Sequence, residues 1–159
     1  MEIKIREYIE EDLEWIVSIH GSLYKDEYGF DETFPNYVRE PLEKFHSDRD
    51  IKKECIWIAE SEGNRVGVVA IAKADDKTAQ FRWFLLLKDF RGSGNGRLLA
   101  EKAVQFARNA GYEEIILWTV SILNEARGLY RSLGFLIEKE IPHNIWGRDL
   151  TEEKWTMKL

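Results

Sequence analysis

Apolar residues in the N-terminal third recur with spacings that predict one strand and two helices. Alternation of apolar and polar residues over 3–8 predicts a first strand with one buried face. Apolar positions three and four residues apart predict a helix over about residues 11–26. A second helix is expected over 34–45, where Pro41 interrupts it or begins part of it.

The middle of the chain has the pattern of three strands separated by two turns. Residues 54–61 and 66–73 are rich in apolar residues, and Glu62-Gly63-Asn64 between them predicts a hairpin. A second turn leads into an apolar run over 79–87. Because short turns join strands that pair antiparallel, these segments are expected to form one antiparallel unit.

The C-terminal half alternates helices and strands. A helix is predicted over 98–110, capped by Gly111, and a strand over 114–120. A second helix is predicted over 124–133, with Asn124 as N-cap and Gly134 at its end. The last two strands are expected over 135–141 and 153–159, joined by a loop that contains Pro142, His143 and Gly147. The whole order predicts an α/β (α+β) fold. It has a mixed central sheet of about six to seven strands with about four helices, in a single domain over residues 1–159.

Charge and cysteine content limit the classes of function. The formal net charge is −6, which argues against non-specific nucleic-acid binding because that binding relies on neutralising phosphates. The one cysteine, Cys55, lies in an apolar run and is expected to be a buried small residue. The sequence shows neither a signal-peptide pattern nor an apolar stretch of membrane-spanning length, so we expect a cytoplasmic protein without a membrane partner. The oligomeric state is not determined by these features, and a homodimer is one possibility.

The segment Arg91-Gly92-Ser93-Gly94-Asn95-Gly96 follows a predicted strand and precedes a predicted helix. At such a turn the backbone N–H groups are unpaired and the helix dipole is positive, so the pattern predicts a phosphate-binding loop. A dinucleotide fingerprint is excluded because Arg97 stands where its third glycine belongs, and an ATP-binding loop is excluded because no Gly-Lys-Ser/Thr ending is present.

What remains is Arg-x-x-Gly-x-Gly, with Arg91, Gly94 and Gly96 at the fixed positions, and it resembles the acyl-CoA pyrophosphate loop of the GNAT superfamily of N-acetyltransferases. The predicted element order is also similar to that of this family over nearly the whole chain. The resemblance implies that acetyl-CoA is the cosubstrate. No metal is expected, because no His, Cys or Asp cluster has zinc-binding spacing. It implies coenzyme contacts from Leu85, Leu86, Leu87, Arg91, Gly92, Ser93, Gly94, Asn95, Gly96 and Arg97. In such folds the strand over 81–87 splays from the next one, and a backbone N–H near Leu86 points at the thioester carbonyl.

A second GNAT-like segment is Leu129-Tyr130-Arg131-Ser132-Leu133-Gly134-Phe135. The resemblance implies that Tyr130 protonates the departing thiolate, and a phenol with a pKa near 10 suits a thiol with one of about 8.5. Packing on the apolar face of the helix is the alternative role for Tyr130. Relatives often carry a coenzyme-contacting asparagine seven residues before this tyrosine; here Leu123 stands there, and Asn124 follows it. Asn124 and Arg127 complete the expected coenzyme contacts.

The general base is the least defined part of the expected site. The acceptor amine must lose a proton before it attacks, and the strand start over 79–82 has no carboxylate. Glu27 lies in the region that usually forms the acceptor wall, with Asp31 and Glu32 near it. His143 has a suitable intrinsic pKa and lies in a loop expected to close over the site. Glu27 and His143 are therefore the candidate bases.

A closer resemblance is to the acetyltransferase domain of MarR-GNAT fusion regulators, which are bacterial. It is carried by His20-Gly21-Ser22-Leu23-Tyr24, Glu27-Tyr28-Gly29-Phe30-Asp31, Leu117-Trp118-Thr119 and Pro142-His143. We expect a stand-alone N-acetyltransferase that moves an acetyl group from acetyl-CoA to a primary amine by direct attack, since no activated nucleophile is visible. The alternative is a non-catalytic acyl-CoA-binding sensor linked to transcriptional regulation.

Overall fold

The computed structural model describes residues 2–159, and these form seven strands and four α-helices around a single sheet. The strands are β1 (Lys4–Glu7), β2 (Cys55–Ser61), β3 (Asn64–Lys73), β4 (Thr78–Leu86), β5 (Glu114–Val120), β6 (Leu136–Ile145) and β7 (Arg148–Lys158). The helices are α1 (Asp12–Tyr28), α2 (Thr33–Asp48), α3 (Asn95–Asn109) and α4 (Asn124–Leu133). The predicted α/β fold, with its mixed sheet and four helices, is confirmed.

The sheet has the order β1-β2-β3-β4-β5-β7-β6, and β4–β5 is its parallel pair among antiparallel neighbours. A parallel pair needs a long crossover, which α3 supplies. The β4–β5 pairing covers three positions and ends at Gln80 and Ile116. Beyond that point the two strands diverge, and the sheet opens at its centre.

Helices cover both faces of the sheet because each strand alternates its buried side chains between two cores. In β2, Trp57 packs in the core beneath α3 and α4, whereas Ile56 and Ile58 pack in the core beneath α1 and α2. The apolar stripe of α3, with Leu99 and Ala103 fully buried, fills the first core. The second core holds the buried apolar faces of α1 and α2, and it ends at the opening between β4 and β5.

The last hairpin differs from the sequence-based prediction. His143 was expected in a loop, but it lies in β6, which continues to Ile145. The sequence favoured a loop because of Pro142, yet β6 is an edge strand, where the missing N–H of proline costs little. The turn itself is Trp146-Gly147, and both residues have a positive φ, 54° and 80°, as the tight hairpin turn requires.

Two helix details also differ from the expectation. Pro41 lies inside a continuous α2, whose buried face is held on both sides of the proline by Val38 and Leu42. The N-cap of α4 is Leu123 and not Asn124, and no side chain caps this end. The helix is instead fixed by the burial of Leu123 and Tyr130.

Strand β4 carries a bulge beside the central opening. Two of its residues, Trp83 and Phe84, occupy the space opposite Val69 alone, because Ala70 pairs with Arg82 and Val68 with Leu85. Trp83 has a φ of 50°, a left-handed conformation that is rare for a bulky residue. The bulge bends the strand where it leaves β5.

Candidate active site

The glycine-rich loop has the backbone that an anion site needs. Gly92 and Gly94 have φ values of 83° and 86°, and a Cβ at either position would meet open space. Gly94 is the N-cap of α3, so the amides of Gly96 and Arg97 in its first turn have no acceptor within the helix. Left-handed glycines therefore direct a run of N–H groups and the positive end of a helix dipole into one place.

Arg91 ties this loop to the rest of the fold. Its Nε donates to the Leu86 carbonyl at 2.8 Å, and its two terminal nitrogens donate to the carboxylate oxygens of Glu27 at 2.8 and 2.9 Å. The hydrogen bonds from Arg91 lower the pKa of Glu27. Glu27 thus holds the loop against the end of α1, and a carboxylate with a lowered pKa is a poor proton acceptor.

The other polar residues of the loop brace it from within. Asn95 is buried, and its Nδ2 donates to the Phe90 carbonyl at 3.1 Å and to Ser93 Oγ at 3.3 Å. Arg97 donates to Ser132 Oγ at 2.9 Å and pairs with Glu101 at 2.8 Å. These contacts fix the bend in the main chain and join α3 to α4.

The loop opens into a cavity of about 660 Å³, called here the loop-side cavity. Its lining includes Lys88, Arg91, Gly92, Gly94, Gly96 and Arg97 from the loop region, together with Leu85 and Leu86. Apolar side chains of α1 and α4 complete the wall. The loop end of this cavity thus carries basic side chains, and the remainder is largely apolar apart from Glu125, which suits a molecule with a phosphate head and a less polar arm.

A second cavity of about 330 Å³ lies on the far side of the β4–β5 opening. It is called here the aromatic cavity, because its lining includes Tyr24, Phe34, Trp83, Trp118, Tyr130 and Trp146. Four residues line both cavities, namely Tyr24, Phe84, Leu123 and Ala126. The two cavities therefore meet at the opening of the sheet, and two different molecules can approach each other there.

Tyr130 lies beside this junction. It is buried, lines the aromatic cavity, and follows Ala126 by one turn on the same face of α4. Its ring packs edge-on against Phe81 with the centroids 5.8 Å apart. Burial raises the pKa of Tyr130, so the phenol keeps its proton at neutral pH. A protonated hydroxyl beside the junction is what proton donation to a leaving group requires.

The backbone of Leu86 is directed toward the same opening. The neighbouring Leu87 N–H donates to the Val66 carbonyl in β3 at 2.9 Å, whereas the Leu86 carbonyl accepts from Arg91. Successive residues of a strand direct their polar groups to opposite edges. The Leu86 N–H therefore points away from β3, to the side where β4 and β5 diverge.

Three predicted site residues lie elsewhere. Arg127 is held by the buried carboxylate of Glu153 at 2.9 and 3.0 Å, and Asn124 is exposed at the start of α4, outside both cavities. Neither residue lines the loop-side cavity, and their coenzyme contacts stay a prediction. His143 is half exposed in β6, and its Nδ1 lies 3.0 Å from Glu152 Oε1. It reaches the aromatic cavity only through that carboxylate, because Glu152 lines the cavity.

Sequence reasoning missed most of the aromatic cavity. His20, Arg82, Thr119 and Glu152 line it, and none of them was among the candidate site residues. A polar residue inside each of two apolar strands, Arg82 in β4 and Thr119 in β5, was the available signal. Residues 2–159 contain no group of three or more His, Cys, Asp or Glu side chains placed to hold a metal ion.

Comparison with known proteins agrees with this geometry. The model of the acetyltransferase (GNAT) family matches residues 21–135, which is most of the chain. The chain belongs to the GNAT family. The matched segment contains α2, the glycine-rich loop and Tyr130, so this GNAT assignment covers both elements that the sequence singled out.

Among curated proteins, human N-acetyltransferase 8B is 37% identical over 99 residues, a segment that covers 59% of this chain and 44% of the relative. Human N-acetylaspartate synthetase is 37% identical over 82 residues, or 51% of this chain and 27% of the relative. The matches thus span less than half the length of these relatives. Among solved structures, a protein from Salmonella typhimurium with its cofactor acetyl-CoA superimposes with a TM-score of 0.80 at 19% identity, covering 100% of this chain and 95% of that one. At that identity the likeness shows the GNAT fold alone.

Proposed function

We propose that the protein is an N-acetyltransferase that transfers the acetyl group of acetyl-CoA to a primary amine by direct attack. The observation that carries this proposal is the meeting of two cavities at the β4–β5 opening, one led by the glycine-rich loop and one lined by Tyr130. Human N-acetyltransferase 8B and N-acetylaspartate synthetase, by their names, belong to the same class of activity.

In this proposal the loop-side cavity receives acetyl-CoA. The amides of residues 92–97 bind the pyrophosphate, and Lys88, which lines the cavity, adds positive charge near it. The Leu86 N–H donates to the thioester carbonyl oxygen as negative charge develops there. Because Arg91 is neutralised by Glu27, its part is to hold the loop rather than to supply a free charge.

The aromatic cavity receives the acceptor amine. Tyr130 donates its proton to the thiolate sulfur as the C–S bond breaks, and the new amide forms at the amine nitrogen. Of the two bases expected from the sequence, Glu27 is engaged by Arg91, and His143 acts only through Glu152. We therefore assign removal of the amine proton to the Glu152–His143 pair, whose carboxylate lines the cavity.

The test is calorimetry with acetyl-CoA followed by thiol release with a panel of primary amines. Tyr130→Phe is expected to lower kcat by about 10² or more and to leave the Kd for acetyl-CoA within about twofold. Tyr112→Phe is the matched control, because its hydroxyl donates to the Lys53 carbonyl away from both cavities. An unchanged kcat in Tyr130→Phe refutes the proton-donor role, and an absence of acetyl-CoA binding refutes the whole proposal.

Several narrower expectations stay predictions. They are a cytoplasmic location, a homodimer, the absence of nucleic-acid and membrane partners, and closeness to the acetyltransferase domain of MarR-GNAT fusion regulators. Among residues 2–159, no helix combines the length and the apolar character that a membrane span requires. If the protein is instead a non-catalytic acyl-CoA sensor, acetyl-CoA binds but no amine of the panel causes thiol release.

A further inference from the structure

The aromatic cavity has the walls of a binding site for a bulky apolar group. Trp146, at the β6–β7 turn, packs against Phe30, Phe34 and Tyr37 with ring centroids 4.8 to 5.1 Å apart. Tyr24 stacks on Phe34 at 4.9 Å. Rings that pack against one another in this way form a rigid wall, and its flat faces suit an aromatic or branched side chain.

One cation interrupts this apolar lining. The guanidinium of Arg82 lies 4.6 Å from the centre of the Trp83 ring, and burial lowers its pKa. Across residues 2–159, no carboxylate comes within 4.0 Å of it. By contrast, the carboxylates of Asp12, Glu27 and Glu153 pair with arginines that are also partly buried. A partly desolvated guanidinium without a counter-charge is costly, and an anion from a ligand removes that cost.

Two further polar atoms in the same cavity lack a partner. His20 Nδ1 lies 2.8 Å from the Ile16 carbonyl, which only accepts, so Nδ1 carries the hydrogen and Nε2 a lone pair. Burial lowers the pKa of His20 to about 4, and the ring is neutral. Within residues 2–159, His20 Nε2 and Thr119 Oγ1 are buried without a hydrogen-bond partner, and both residues line the cavity. Both atoms are closed off from a water-sized molecule, so they make the wall beside the cavity polar without offering a direct hydrogen bond to a ligand.

We propose that the acceptor is a free amino acid with an aromatic or large apolar side chain, whose carboxylate is bound by Arg82. The side chain packs on the ring wall around Trp146, and the amino group faces the junction with the loop-side cavity, beside Glu152. A cavity of about 330 Å³ lies at the lower end of the range for small-ligand pockets and suits a molecule of this size. The position of the amino group rests on the function proposed above, whereas the carboxylate site does not.

The test is calorimetry of ligand binding without turnover, on the protein alone and in the presence of CoA. The probes are L-phenylalanine, phenethylamine, which lacks the carboxylate, and phenylalaninamide, in which it is neutral. We expect L-phenylalanine to bind at least about tenfold more tightly than either amine. Arg82→Gln is expected to remove this preference, and Arg82→Lys to retain part of it. Arg108→Gln, an exposed arginine on α3, is the matched control and keeps the preference.

Equal binding of L-phenylalanine and phenethylamine to the unmodified protein overturns the proposal, and so does a preference that survives Arg82→Gln. The first comparison needs no variant, so misfolding of a variant cannot obscure it. Failure of the proposed function gives a different result, namely tight binding of L-phenylalanine through Arg82 with no thiol release from acetyl-CoA. Acetylation of L-phenylalanine and phenethylamine with equal kcat/KM supports that function and refutes the carboxylate site.

Discussion

Asp12, at the first turn of α1, is expected to make the largest single electrostatic contribution to the stability of this fold. Its side chain is fully buried and accepts hydrogen bonds from Arg6 at 2.8 and 3.0 Å, from Arg65 at 2.7 Å and from the Ile9 N–H at 2.8 Å. One carboxylate thus joins β1, α1 and β3. Burial alone would raise the pKa of Asp12, but these hydrogen bonds outweigh it and lower the pKa to about 2.

The expected magnitude follows from linkage between protonation and folding. A pKa of about 2 in the folded protein, against 3.8 in the unfolded chain, corresponds to about 2.5 kcal/mol of stability at neutral pH. Because the folded pKa is the lower one, this stability is present above pH 4 and is lost as the pH falls toward 2. Asp12→Asn also removes the carboxylate that pairs with Arg65 and one of the two that pair with Arg6, which keeps Glu60, so a loss of about 3 kcal/mol at pH 7 is expected.

The assay is urea unfolding of the wild type and of Asp12→Asn at several pH values. The difference in unfolding free energy between them is expected to shrink by about 1 kcal/mol from pH 6 to pH 3, and by about 2 kcal/mol by pH 2. Asp76→Asn is the control, because Asp76 is exposed although it pairs with Lys73 at 2.9 Å. A difference that is independent of pH, or one no larger than in Asp76→Asn, would refute the reasoning.

Two predictions concern the glycine-rich loop. Gly94→Ala puts a Cβ on a residue with a φ of 86° at the mouth of the loop-side cavity. We expect the Kd for CoA, measured by calorimetry, to rise at least about tenfold. Gly128→Ala, in an exposed part of α4, is the control and leaves this Kd unchanged. Glu27→Gln releases Arg91 and is expected to raise the same Kd by about three- to tenfold. Glu14→Gln breaks a similar bidentate pair with Arg39, far from the loop, and should leave the Kd unchanged. Equal effects of the two variants would contradict the role of Glu27 in holding the loop.

The sequence predicted the features that depend on local interactions. The order of helices and strands follows from the spacing of apolar residues, and the bend of the glycine-rich loop follows from glycines that adopt a positive φ between a strand and a helix. The C-terminal end of α4 at Gly134, in a left-handed conformation, is of the same kind. Each of these signals lies within a few residues of the structure that it specifies.

Features that depend on long-range contacts could not be predicted in this way. The partner of Arg91 is 64 residues away in Glu27, and the partner of Arg127 is 26 residues away in Glu153. A single sequence does not reveal such pairings, so it could not show that Glu27 and Arg127 are each held by an opposite charge. His143 was placed in a loop because the penalty for a proline depends on whether the strand is at an edge, and that is a property of the whole sheet.

The short pairing of β4 with β5 has a consequence for the dynamics of the protein. Beyond Gln80 and Ile116 these strands share no ladder, so the sheet behaves as two half-sheets joined by a short hinge and by the helices that pack across it. A molecule bound in this gap contacts both strands where they make no backbone hydrogen bonds to each other. Amide hydrogen exchange at Leu86 and at the end of β5 should therefore slow when both substrates are bound, and the free protein should open there first.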